Sequence, residues 1–223
     1  MTSKAPTGRK AYKGIAMEGI IAKWYSKSQE KSIEQYRSWA KLASDNIATD
    51  SRVLEIAPGP GYLSIELAKR GHYDITGLDI SETFVKIACE KAVKVDVRVD
   101  FRQGDAAYLP FPDAVFDFVI CTSAFKNFPE PVKVLDEIFR VVKSGGKALI
   151  IDMHREVSGR EINEYVKRMR LNVVDSFMTK ISFQMLVKSS YSKNQINEFV
   201  TKSKFSKYSI VDEEVGFELW LDK

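Results

Sequence analysis

The sequence predicts an α/β fold: a doubly wound, mostly parallel sheet that ends in an antiparallel hairpin. Three observations carry this. From residue 53 onward, short β-type apolar runs alternate with helical patterns. The first run, Val53-Leu54-Glu55-Ile56-Ala57, crosses a Gly/Pro turn, Pro58-Gly59-Pro60-Gly61, and opens into a helix. The chain closes on two short runs, Tyr208–Val211 and Gly216–Leu221, that flank the acidic turn Asp212-Glu213-Glu214.

The elements follow in order. Residues 14–48 carry a helical signal: Ile20, Ile21, Trp24 and Tyr25 recur at three-to-four spacing, then Ile33, Tyr36, Arg37 and Ala40. Trp24 and Tyr25 read as core packing. Ser32 with Gln35 resembles a capping box. Asp50-Ser51 breaks the pattern before a strand over 53–57. A helix over 62–69 stops at Gly71. A strand over 74–78 precedes a helix over 82–93 with Ser81 as N-cap. A third strand covers 97–102, and Pro110 and Pro112 mark a loop. Residues 116–121 are nearly continuous apolar sequence, as expected of a strand buried on both faces. Pro129 and Pro131 open a helix with the stripe Val134, Leu135, Ile138 and Val141. Ser144-Gly145-Gly146 stops it before a strand over 147–153. Residues 155–200 are a helical insert without a strand pattern, read as a lid. Its Tyr165, Met169, Phe177, Met178, Phe183 and Met185 fit either an apolar small-molecule pocket or the lid's own core.

Composition bounds the class. At 223 residues, 44% apolar and 29% charged, the chain reads as one globular domain over 14–223, with an N-terminal helical cap over 14–48. Residues 1–13 read as a disordered basic tail carrying Lys4, Arg9, Lys10 and Lys13. No apolar run approaches the ~20 residues that span a bilayer, and no signal-peptide pattern is evident. Cys89 and Cys121 lie in apolar contexts without metal spacing and read as packing residues. The expected setting is cytoplasmic.

Three acids sit at three expected strand ends: Glu55, Asp79 and Asp105. Their separations match one βαβ repeat each, which brings them to the carboxyl-end crevice. Carboxylates gathered there repel one another and call for a donor-rich, preferably cationic ligand. S-adenosylmethionine (SAM) meets that demand. Asp79 suits its vicinal ribose hydroxyls, Asp105 the adenine amine, and Glu55 the methionine ammonium. Because SAM carries no phosphate, Gly59 and Gly61 serve close backbone approach rather than anion binding.

The chain resembles the class I SAM-dependent methyltransferases, in particular the small-molecule branch that includes quinone-biosynthesis-type enzymes. The resemblance rests on five segments in order over about residues 50–153: Glu55-Ile56-Ala57-Pro58-Gly59-Pro60-Gly61, Gly77-Leu78-Asp79-Ile80-Ser81, Gly104-Asp105-Ala106-Ala107-Tyr108-Leu109-Pro110-Phe111, Phe116-Asp117-Phe118-Val119 and Arg140-Val141-Val142-Lys143-Ser144-Gly145-Gly146. It implies a Rossmann-like seven-stranded sheet with an antiparallel last strand. It also implies SAM contacts from Glu55, Ala57, Gly59, Gly61, Asp79, Ile80, Gly104, Asp105, Ala106 and Thr122, with S-adenosylhomocysteine as product. Two positions depart from the pattern. Ala57 replaces the usual first glycine, which is compatible with a negative φ. Phe125-Lys126-Asn127 stands where many relatives carry Leu-His-His.

In-line methyl transfer from a sulfonium asks mainly for positioning and water exclusion. Thr122, Ser123 and Phe125 should border the methyl group. His154 is a candidate base, with Asp152 and Lys126 as others, although Lys126 reads more readily as solvated. The expected acceptor is a small molecule, with nucleic acid disfavoured: the position after the fourth strand reads Cys121-Thr122-Ser123-Ala124-Phe125 and lacks an Asn/Asp-Pro-Pro-aromatic motif. The alternatives are an RNA or protein methyltransferase and a non-catalytic SAM-binding protein. An NAD-dependent dehydrogenase is disfavoured because Ser64 takes the last required glycine position of the loop.

Overall fold

The computed structural model describes residues 12, 13, 17–169 and 171–223. The expected basic tail lies outside the described residues, except for its last two positions. There Lys13 is packed, with Nζ 3.5 Å from the Tyr191 ring centre and its backbone N–H donating to Asn127 O.

The strands are β1 (Arg52–Ile56), β2 (Asp74–Asp79), β3 (Asp100–Gln103), β4 (Phe116–Thr122), β5 (Val142–Asp152), β6 (Lys207–Glu213) and β7 (Gly216–Asp222). They form one sheet in the order β3-β2-β1-β4-β5-β7-β6. The β1–β2, β1–β4, β2–β3 and β4–β5 pairs are parallel, and β7 runs antiparallel to both β5 and β6. The expected doubly wound sheet with a closing hairpin is therefore present. The strand order reverses between β1 and β4, and that switch point is where such sheets open a ligand crevice.

Around the sheet lie α1 (Gly19–Gln29), α2 (Ile33–Ser44), α3 (Tyr62–Ala68), α4 (Glu82–Lys94), α5 (Pro131–Val141), α6 (Gly159–Arg168), α7 (Val173–Ser189) and α8 (Lys193–Lys202). Strand alternation divides the core between two faces. Leu54, Ile56, Val119 and Cys121 pack toward Leu135, Ile138 and Val200. Val53, Phe118 and Ile120 pack on the other face with Leu63, Leu67, Ala40 and Ala43. Glu55 belongs to this second face by its register, so its carboxylate meets α3.

Some local expectations shift. The third strand begins at Asp100 rather than 97, because its ladder with β2 starts at the Thr76↔Asp100 pair, while Val97 and Val99 pack beside Ala88 and Ala92 of α4. The Ser32–Gln35 capping box does not form. A 3₁₀ turn, Glu30–Ser32, runs straight into α2, and Gln35 Oε1 instead accepts from the Tyr165 hydroxyl at 3.2 Å. Ser81 caps α4 as expected, accepting from Phe84 N. Cys121 is buried, but Cys89 is exposed on α4, which corrects its reading as a packing residue.

Candidate functional site

The register levels the strand ends. Ile56 pairs with Leu78 on one side and Cys121 on the other, so Ala57, Asp79 and Thr122 stand side by side one step further on. Asp79 pairs with Gln103, which sets Gly104 and Asp105 just beyond. Thr122 pairs with Ile151, which places Asp152 next in line. The topology thus brings the sequence-predicted residues of β1 to β4 to one edge.

Glu55 is 2% exposed. Its Oε2 accepts from the Ser64 backbone N–H at 2.9 Å and from the Ser64 hydroxyl. One oxygen therefore caps the first turn of α3, a favourable place for negative charge. Oε1 makes no hydrogen bond among the described residues and is left for a ligand. Burial pushes the carboxyl up to about 7, against the pull of the two Ser64 bonds, with Asp79 adding repulsion. A cationic ammonium at this site would reverse that shift.

Asp79 is 5% exposed. Its Oδ2 accepts from Gly59 N at 2.8 Å and its Oδ1 from Ser81 N at 2.9 Å. The side chain ties the glycine turn to the start of α4, yet each oxygen keeps acceptor capacity for a pair of hydroxyls. Burial raises its carboxyl, partly offset by these N–H groups. No cation is paired with it among the described residues.

The turn itself is left-handed at three positions: φ is +56° at Ala57, +53° at Gly59 and +80° at Gly61. A Cβ at Gly61 would lie 2.8 Å from both Ala88 Cβ and Phe101 Cζ, so glycine is required there. A Cβ at Gly59 would meet open space, leaving its backbone accessible to a ligand. The expectation of a negative φ at Ala57 is not met. Ala57→Gly should stabilise the fold by roughly 1 kcal/mol, since alanine is strained in this region and glycine is not; chemical denaturation of the two proteins measures it.

Asp105 is half-buried and its Oδ1 accepts from Ala107 N at 2.9 Å, which places it in a turn beside buried Ala106. Gly104 N donates to Asp79 O, and a Cβ at Gly104 would sit 2.7 Å from Leu78 Cδ1. Ile80 is half-buried and Thr122 is buried at the tip of β4. His154 lies two residues past the end of β5. It is buried, and the charges acting on it are Lys193 of α8, Asp212 of β6, Glu161 of α6 and Glu156 in the turn before α6. Burial, then Lys193, lowers its basicity. It follows β5, whose last residue Asp152 pairs with Phe217 of β7.

Sequence reasoning misjudged Lys126. It is 4% exposed, with Nζ 2.9 Å from Asp152 Oδ1 and a second bond to Ser123 O. Asp152 also accepts from the backbone N–H groups of Lys126 and Met153, at 2.8 Å each. The adjacency of β4 and β5 could have paired these two residues from sequence. Tyr25 packs, as expected from the sequence. Its ring lies 5.8 Å from Phe84, and burial, then the charges of Asp152 and Asp79, push its hydroxyl up to about 12. It stands on the cap between the two acids. Its hydroxyl makes no hydrogen bond among the described residues. Trp24, expected in the core, is 70% exposed.

A strap holds the cap in place. Ser81 Oγ donates to Met17 O at 2.7 Å, Glu18 accepts from Glu82 N and Thr83 N, and Gly19 N donates to Thr83 Oγ1. The Tyr62 hydroxyl reaches Ser26 O, and the Tyr36 and Tyr62 rings stack at 5.4 Å. The cap meets the insert through Lys31–Asp175 at 3.0 Å and Tyr165–Gln35. Within the insert, Tyr165 packs on Phe183, and Phe183 joins Val157, Ile162, Val166 and Val187. These two belong to the insert's own core, whereas Phe177, Met178 and Met185 are exposed.

Residues 54–150 match the family model described as a methyltransferase domain. The chain is 32% identical over 164 residues to a demethylmenaquinone methyltransferase of Deinococcus radiodurans, covering 70% of this chain and 68% of that protein. Further relatives of the same description are matched over only about half their own length, 53–54%. Among solved structures, one from Methanococcus maripaludis superposes with a TM-score of 0.72 at 22% identity, over 99% of this chain and 97% of that one. The [4+2]-cyclase SpnF superposes at 0.61 with 21% identity, over 80% and 61%. Both likenesses show the fold, and the second illustrates that the fold alone does not dictate the reaction.

Proposed function

The chain belongs to the class I SAM-dependent methyltransferase family, and from that premise we propose that it methylates a small quinone-type acceptor in its reduced, phenolic form. The observation that carries the site assignment is the pair of buried carboxylates, Glu55 and Asp79, each bound to the glycine turn or its helix and each retaining acceptor capacity without a cationic partner among the described residues. The relatives named for demethylmenaquinone supply the acceptor class. SAM, when bound, supplies an activated methyl group on a sulfonium.

The chain's own residues do the positioning. Glu55 Oε1 accepts from an ammonium. Asp79 accepts from vicinal hydroxyls while it holds Gly59 N. Gly104, Asp105 and Ala106 border the far end of the crevice, and Thr122 lies at the tip of β4. Lys126 spends two of its three N–H bonds on Ser123 and Asp152; the third is available to an acceptor oxygen, where its charge favours the ionised phenol. Asp152 accepts from three donors, Lys126 N, Lys126 Nζ and Met153 N. The Tyr25 hydroxyl stays protonated and donates.

The test is incubation with methyl-labelled SAM and a water-soluble naphthoquinol, with catechols and primary amines offered in parallel. Label in the quinol supports the reading, and label only in a catechol or an amine overturns it. A second expectation concerns pH. The folded Glu55 value, about 7, lies above its ordinary 4.5. Its contribution to the unliganded fold is thus present below the ordinary value and lost as pH rises through about 7. An ammonium ligand needs the ionised form, so SAM affinity should rise with pH up to about 7 and then level. Titration calorimetry should find that Glu55→Gln binds more weakly and loses this slope.

A further inference from the structure

Helix α7 presents an outward row of large apolar side chains: Val173, Val174, Phe177, Met178, Ile181 and Met185. Their spacing in steps of three and four sets them along one side of the helix. The exposures are high, 86% for Val173, 63% for Phe177 and 67% for Met185. The opposite side, with Phe183 and Val187, packs into the lid's core. On the cap, α1 repeats the arrangement with Ile20 at 85% and Trp24 at 70%. The ion pair Lys31–Asp175 ties the end of the cap's first helix region to the first turn of α7. Both rows therefore belong to two segments that touch each other. Rows of large apolar side chains this exposed mark an interaction surface.

Charge identifies what covers it. Helix α1 carries Lys23 and Lys27 and no acid. Helix α7 carries Lys180 and Lys188 against one acid, Asp175, which is engaged by Lys31. Apolar rows with Trp and Phe, bordered by lysines and almost free of carboxylates, are the pattern of helices that lie in the plane of an anionic bilayer surface. An interface between protein copies is instead depleted of lysine at its core. No helix among the described residues is long and apolar enough to cross a membrane, so the contact is peripheral.

We propose that the outward faces of α7 and α1 dock this protein on an anionic lipid surface, with the cap and lid turned toward the bilayer. An apolar acceptor dissolved in that bilayer would then meet the crevice without crossing water. The docking itself rests on the exposed rows and not on the identity of the acceptor.

Sedimentation of the full chain with vesicles tests it, using phosphatidylcholine alone and phosphatidylcholine with about one third phosphatidylglycerol. The expected result is binding to the anionic vesicles, weaker binding to the neutral ones, and loss in high salt. Phe177→Ser combined with Ile181→Ser should weaken binding roughly tenfold, and Lys180→Glu with Lys188→Glu should act in the same direction. Circular dichroism and SAM affinity, unchanged in both variants, establish that the fold is intact. Failure of the full chain to sediment overturns the proposal, as does binding that the apolar variant leaves undiminished. A dimer in analytical ultracentrifugation that Phe177→Ser dissolves, with no vesicle binding, reassigns the face to a second copy. Methyl transfer to a water-soluble quinol does not depend on docking, so the two readings fail separately.

Discussion

Asp79→Ala is expected to lower SAM affinity about a hundredfold and to destabilise the fold by about 2 kcal/mol at neutral pH. The affinity term follows from two charge-assisted acceptors lost to ligand hydroxyls. The stability term follows from the other role of the side chain: Gly59 N and Ser81 N both donate to it, and truncation leaves these N–H groups without partners. The structure adds to the proposed ligand role a structural one, the tie between the glycine turn and α4. Asp79→Asn separates the two. Asparagine keeps the shape and one of the two acceptor bonds, and it removes a buried negative charge that lacks a partner. Its unfolding midpoint should stay close to that of the parent, while its SAM affinity falls at least tenfold. Calorimetric titration and thermal melts of the three proteins read both quantities. SAM affinity in Asp79→Asn equal to the parent's would remove this carboxylate from the cofactor site.

The second large effect is expected at Lys126. Lys126→Met should destabilise the protein by roughly 3 kcal/mol, because it leaves Asp152 charged, buried and without its cation. The pair is nearly sealed, with side-chain exposures of 4% and 1%. The double variant Lys126→Met with Asp152→Asn should recover most of that loss, since the buried charge is gone and the amide oxygen can still accept from a backbone N–H of Lys126 or Met153. A double-mutant cycle by urea denaturation measures the coupling. Activity separates the structural role from the chemical one. If the third N–H of Lys126 holds an acceptor oxygen, the double variant will be stable but slow, with its loss in kcat greater than any rise in KM. Full activity in the stable double variant would confine Lys126 to a structural role.

The parts of the site that were legible in the sequence are those that follow from repeat length. Glu55, Asp79 and Asp105 stand at the ends of successive strands, and a βαβ repeat returns each strand to the same edge. Parallel pairing does the rest, so their convergence needed only the assumption of one sheet. Gly59 and Gly61 were legible for a related reason: a strand-to-helix turn that must approach a ligand closely excludes bulky side chains. The misread residues depend on neighbours far away in sequence. Lys126 is buried because β5 lies beside β4 and delivers Asp152; nothing local to Phe125-Lys126-Asn127 distinguishes it from a solvated lysine. Trp24 and Tyr25 are adjacent on one helix, yet one points to solvent and the other toward Asp79 and Asp152. Helical spacing defines a stripe but not the partner that covers it. The φ of Ala57 is set by a turn held from both sides, through Ala57 N on Leu78 O and Gly59 N on Asp79.

The sequence by itself determined the fold class, the order of its elements, the family resemblance and the convergence of three acids at one edge of the sheet. These follow from periodicity and from turn chemistry, which act over a few residues. Only the tertiary structure decided that His154 is buried among Lys193, Glu156, Asp212 and Glu161, that Lys126 and Asp152 form a buried pair, and that α7 and α1 leave apolar rows uncovered. Each of these is a question of burial, and burial is set by which elements become neighbours when the chain closes on itself.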